Sequence, residues 1–156
     1  MMARRPLLLL TLVLLAAAAG PAVPAGAQEE APSPVAPQIA DGSAQAALDK
    51  ARARWKAARI GSYRFQARRR CFCPGTGWHV VNVRRGVLPG TVHRDVKDVA
   101  TVPRLFRTIQ RAIDRRVHGL VVTYGARGVP TQIDIDSFEN VIDEEQYFSI
   151  RGFKRL

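Results

Sequence analysis

From Ser43 onward the apolar positions of the chain recur with two different periods. Leu48, Ala51, Trp55 and Ala58 stand three and four residues apart, and Lys50, Arg52, Arg54 and Lys56 fall elsewhere. This pattern predicts an amphipathic helix with Ser43 as its N-cap, running through Arg59 and ended by Gly61. Over Ser62–Cys73 the period drops to two: Tyr63, Phe65, Ala67, Arg69 and Cys71 share one face, and Arg64, Gln66, Arg68 and Arg70 the other. That is a strand, followed by a turn at Pro74–Gly77. Val80–Arg84 and Val87–Arg94 read as two more strands joined at Arg85-Gly86, with Pro89-Gly90 making the second an edge or bulged strand.

The pattern then repeats. Thr101 can cap a second helix that tolerates Pro103 in its first turn and buries Val102, Leu105, Phe106, Ile109, Ala112 and Ile113. Leu120–Tyr124 is a strand, Gly125–Gly128 a turn, and Thr131–Asp136 an alternating strand with Ile133 and Ile135 inward. Gln146–Phe153 is the last strand. The expected order is α-βββ-α-βββ: an α+β fold with two helices on one face of an antiparallel sheet.

Before Ser43 neither period is present. Arg4 and Arg5 precede an apolar run, Leu7–Ala19, and Ala25-Gly26-Ala27 follows it. Such a segment reads as a secretory signal cleaved after Ala27, too short and wrongly flanked for a stable membrane span. No cysteine follows the run, so no lipid anchor is expected there. Residues 28–42, QEEAPSPVAPQIADG, are rich in proline and small residues and read as a flexible leader. One domain, 43–156, remains, of ordinary size for a single core.

Charge changes the picture next. The net formal charge of +11 falls to +9 once Arg4 and Arg5 are removed, and it is unevenly spread. Between Ala44 and Ile133 there are 19 Lys or Arg against four acids, whereas Asp134–Glu145 holds six acids and no base. A basic domain suggests nucleic acid, but export and the lack of a recognition helix or stacking sheet argue against it. An anionic component of the cell envelope, or another secreted protein, is the expected partner.

Trp55, Tyr63-x-Phe65, Cys71-Phe72-Cys73-Pro74, Val81-x-Val83-x-x-Gly86-x-Leu88, Val122-x-Tyr124, Gly128-Val129-Pro130-x-x-Ile133-x-Ile135-Asp136 and Asp143-Glu144-Glu145 occur in that order. Together they resemble an uncharacterised family of exported bacterial, largely actinobacterial, domains, many of them lipoproteins. The resemblance spans about Ala46–Phe153 and implies location and fold; it carries no activity. The missing lipidation cysteine and the short Gly125–Gly128 turn depart from the family.

Candidate chemistry is sparse. After export, Cys71 and Cys73 are expected to form a disulfide. One extended residue between them sets the Cα atoms ~6.6–6.8 Å apart, at the edge of disulfide geometry, which leaves a redox role open. As thiols, the pair could join His79 in holding a soft or borderline ion; His93 and His118 are the other two histidines. Asp134, Asp136 and Glu145 match positions one, three and twelve of a calcium loop, with Asp143 and Glu144 nearby, but Phe138 and Glu139 stand where a ligand and a glycine are needed. An acidic hairpin pairing with neighbouring arginines is the simpler reading.

No serine sits in a nucleophile elbow, and Gly75-x-Gly77 lacks the context of a phosphate loop. No cofactor or catalysis is therefore expected. The expected function is an extracytoplasmic binding or accessory module. An inhibitor-like protein docking on Tyr63, Trp78, Tyr147 and Phe148 and a redox or metal-handling protein using Cys71 and Cys73 remain as alternatives.

Overall fold

A computed structural model describes residues 33–71, 77–141 and 143–156. The signal and the first part of the leader, Cys73, and most of the Pro74–Gly77 turn lie outside the described residues. Among the described residues no helix is long and apolar enough to cross a membrane.

The elements are α1 (Pro37–Ala40), α2 (Ser43–Ala58), β1 (Tyr63–Arg70), β2 (His79–Val83), a 3-10 helix (Arg94–Val99), α3 (Val102–Asp114), β3 (Gly119–Tyr124), β4 (Pro130–Asp136) and β5 (Gln146–Arg155). The strands form one antiparallel sheet in the order β2-β1-β5-β4-β3. The α+β class and the antiparallel sheet agree with the periodicity. The count differs: among the described residues there are five strands instead of six, and more helical pieces than two.

The missing strand is Val87–Arg94. Arg85 and Gly86 do turn the chain, both with positive φ (50° and 78°), and Arg84 pairs with Val87. Pairing stops there because Pro89 has no N–H to give to a ladder. Leu88 and Val92 instead fold beside β2 against the core, and the chain enters the 3-10 helix. Two cap assignments also move. Gly42, not Ser43, is the N-cap of α2, and Asp41 Oδ1 accepts the Ser43 amide at 2.8 Å. At the other end Arg59 takes the left-handed conformation (φ 49°), two residues before Gly61.

The flexible leader requires correction over its second half. Ala36 and Ile39 are buried in the core, and the Ala36 amide donates to Val117 O at 3.0 Å. Gln38 Nε2 donates to Leu120 O, and His118 Nδ1 contacts Pro34 O at 3.0 Å. Two apolar side chains among prolines suffice to dock a short segment when a strand edge offers it backbone partners.

The inward row of the sheet is Tyr63, Phe65, Ala67, Val81, Val83, Leu120, Ile133, Ile135, Phe148 and Ile150, all buried. Leu105, Ile109 and Val102 of α3 and Leu48 and Ala51 of α2 complete the same core. Tyr63 ties sheet to helix twice. Its ring meets Trp55 edge-on at 5.3 Å, and its hydroxyl accepts the Val102 amide at 3.1 Å, one of the N–H groups a helix start leaves unpaired. Thr101 caps α3 as expected, its Oγ1 accepting from Arg104 N at 3.2 Å.

Candidate functional site

With one face of the sheet turned to the core, alternation fixes what the other presents. Register places Arg64 beside Asn82 and Lys154, Gln66 beside Val80 and Arg151, Arg68 beside Ser149, and Arg70 beside Tyr147. On the far side Asp134 pairs with Tyr147 and Val121, and Asp136 with Gly119. Val80 and Val121, near its two edges, are 55 % and 57 % exposed, so no described helix covers this face.

Five cations, Arg64, Arg68, Arg70, Arg151 and Lys154, therefore crowd onto the adjacent strands β1 and β5. Among the described residues the ion pairs are Arg52–Asp49, Arg94–Asp95 and His93–Asp95; none involves these five. Aromatic rings lie against three of them instead. Trp78, just before β2, lies under the guanidinium of Arg151 at 3.8 Å and that of Arg68 at 4.7 Å, and Arg70 lies over Tyr147 at 5.5 Å. Arg151 Nε also donates to Gln66 Oε1 at 2.9 Å. Apart from Arg68 Nε, which is buried, and Arg151 Nε, which Gln66 takes, the stacked guanidiniums keep their in-plane N–H groups available, and the ring contacts restrict their motion. Such a surface suits phosphate or carboxylate groups, which guanidinium meets in a fork geometry.

The acidic segment does not neutralise it. Asp134 Oδ2 accepts from Gln132 Nε2, and Glu144 Oε1 accepts the Phe138 amide at 2.7 Å. Asp134, Asp136, Asp143, Glu144 and Glu145 do not gather into a cation site among the described residues, and none of them pairs with an arginine. Arg68, Arg69, Arg70 and Arg151 lie against rings, and Asp134 and Asp136 lie on β4, where Oδ1 of each is buried without a hydrogen-bond partner among the described residues. The acidic hairpin expected to pair with arginines thus makes no ion pair among the described residues, and its β4 carboxylates border the cationic strip.

The four docking candidates divide by face. Tyr63 and Phe148 are core residues; Trp78 and Tyr147 belong to the open face and are half-buried beneath arginines. The face was legible as alternating arginines. Trp78's part in it was not, because it depends on the β1–β2 register.

The histidines also separate. His118 contacts Pro34 O. His79 and His93 are stacked, with ring centroids 4.0 Å apart and planes at 10°. Asp95 Oδ2 lies 3.4 Å from His93 Nδ1, and Asp95 N donates to that nitrogen at 3.4 Å. Sequence spacing conceals this group, because the segment that carries His93 back to His79 has the alternation of a strand. Cys71 follows β1; the pairing expected with Cys73 reaches outside the described residues.

No curated protein and no solved structure matches this chain. Residues 47–155 match a family of unknown function, DUF6174. That span runs from within α2 to the end of β5, the helices and the sheet that together present the arginine–aromatic face, and the chain belongs to that family.

Proposed function

We propose that this protein is an exported, non-catalytic binding module that engages an anionic polymer of the cell envelope through the open face of its sheet. The observation that carries the reading is the cluster of Arg64, Arg68, Arg70, Arg151 and Lys154, none of them ion-paired among the described residues, with Trp78 and Tyr147 against three of them. A cationic surface whose charges are not tied up in ion pairs draws polyanions, and the rings add a short-range apolar contact for a sugar or glycerol unit. The acidic strip on β4 repels the same ligand and so confines it to β1 and β5.

The test is binding of the mature protein to poly(glycerol phosphate) at low and moderate salt. Affinity is expected to fall by about tenfold or more as screening shortens the reach of the exposed charges. Arg68→Ala with Arg151→Ala should weaken binding by a similar factor, while Arg54→Ala on α2 leaves it unchanged. Equal binding by all three proteins, or binding indifferent to salt, would overturn the reading.

A further inference from the structure

We infer that His79, His93 and Asp95 form a binding site for one divalent cation of the zinc class. The three side chains each offer a ligand atom, and these atoms lie within 4.8 Å of one another. Their origins differ. His79 opens β2 in the same inward row as Val81 and Val83, and its partner across the ladder is Ala67. His93 is the N-cap of the 3-10 helix, and Asp95 is in that helix's first turn. The bend after Val87, which costs the sheet a strand, is what brings the second and third ligands to the first.

Two features favour a metal over a hydrogen-bonded pair. His79 Nε2 is buried and has no hydrogen-bond partner among the described residues. A buried ring nitrogen without a partner forfeits its hydration, and a coordinate bond restores what it lost. The donor set is two imidazoles and one carboxylate. That set suits Zn2+ and its neighbours, whereas Ca2+ and Mg2+ favour sites built of oxygen ligands alone.

The stacked rings set a condition on binding. Imidazole lone pairs lie in the ring plane, and planes at 10° to each other cannot both aim at one point between them. A tetrahedral ion at about 2.1 Å from each ligand needs ligand atoms about 3.4 Å apart. One ring must therefore turn. His93 is the one free to do so, its side chain being 47 % exposed, while the His79 ring has its Nε2 buried. Arg94, at 3.6 Å from Asp95 but 93 % exposed, can withdraw to solvent. Binding is thus expected to unstack the rings. Three protein ligands leave a fourth position to water.

The experiment is calorimetric titration of the full mature chain with Zn2+, alongside Co2+ absorption and imidazole proton resonances. One ion per chain is expected, with the ring resonances of His79 and His93 both shifting and that of His118 unmoved. His93→Asn keeps a side-chain acceptor for the 3-10 helix and removes the imidazole. It should weaken Zn2+ binding by more than about 100-fold, since even partners behind a metal's ligands cost 10–100-fold. Asp95→Asn should weaken binding too, without disturbing the fold. Unchanged affinity in His93→Asn overturns the assignment, as does the absence of binding in the wild-type chain. Binding that survives His93→Asn but is lost when Cys71 and Cys73 are reduced and alkylated overturns it as well, and moves the metal to the thiols.

Discussion

At the scale of single residues, the polar atoms that burial leaves in unusual states are the informative ones. Tyr124 ends β3 half-buried, and its hydroxyl is buried without a hydrogen-bond partner among the described residues. Burial pushes its pKa up to about 12, although the Arg52 and Arg54 cations pull the other way. The folded chain therefore keeps this proton longer than the unfolded chain does. The stability it contributes is complete below about pH 10 and is lost as pH rises towards about 12. Denaturant midpoints across that window should fall more steeply for the wild-type chain than for Tyr124→Phe; parallel declines would contradict the assignment. Tyr63, also raised by burial, is unchanged in both proteins and cancels from the comparison. Residue roles of this kind were only partly legible. Periodicity marks Trp55 and Phe65 as inward because burial there is a property of one element. It is silent on the His79–His93 stack and on Trp78 beneath two arginines, which exist only once separate elements meet.

At the scale of elements, the turn between β3 and β4 shows how close approach is built. Gly128 has φ +79°, and a Cβ there would overlap the carbonyl oxygen of Ala51 and come within 2.9 Å of its carbon. The turn thus rests directly on the backbone of α2. Gly86 has nearly the same φ, +78°, with nothing within 4 Å of its virtual Cβ. Gly86→Ala should cost about 1–2 kcal/mol, the left-handed strain alone. Gly128→Ala should cost about 1–3 kcal/mol more, because backbone on both sides resists the overlap. Denaturant unfolding of the two variants separates strain from contact. Elements whose whole length obeys one period, such as α3 and β1, were readable to within a few residues. Val87–Arg94 was not, since two apolar residues beside a β-turn satisfy the strand pattern while Pro89 decides the outcome. The leader segment failed in the opposite sense: Ala36 and Ile39 are too few to form a pattern, yet both find cover in the core.

At the scale of the whole molecule, the class of fold followed from element order, but strand order did not. Local period tells which side chains turn inward; it does not tell that β1 finds β5, from the far end of the domain, as a neighbour. That pairing is the longest in the sheet, from Tyr63↔Arg155 to Arg70↔Tyr147. It also creates the candidate face, since Arg68 and Arg151 share Trp78 only because their strands are adjacent. A chain stopped after Asp136 retains both long helices and four strands' worth of sequence. It leaves β1 and β4 each without their shared partner, and should show no cooperative unfolding and no near-ultraviolet signal from fixed aromatic rings. A cooperative transition in that fragment would refute the central role given to β5.

The β1–β5 pairing also puts a clock on folding. A chain emerging from its N-terminus finishes β1 at residue 70, but the strand that must lie along it begins to pair only at residue 147. In the interval Tyr63 and Phe65 have an edge but no neighbour on that side, and closing so long a loop is slow. The centre of the sheet is therefore laid last. Until then the chain is open-edged and vulnerable, in an unsafe state in which to linger without a chaperone.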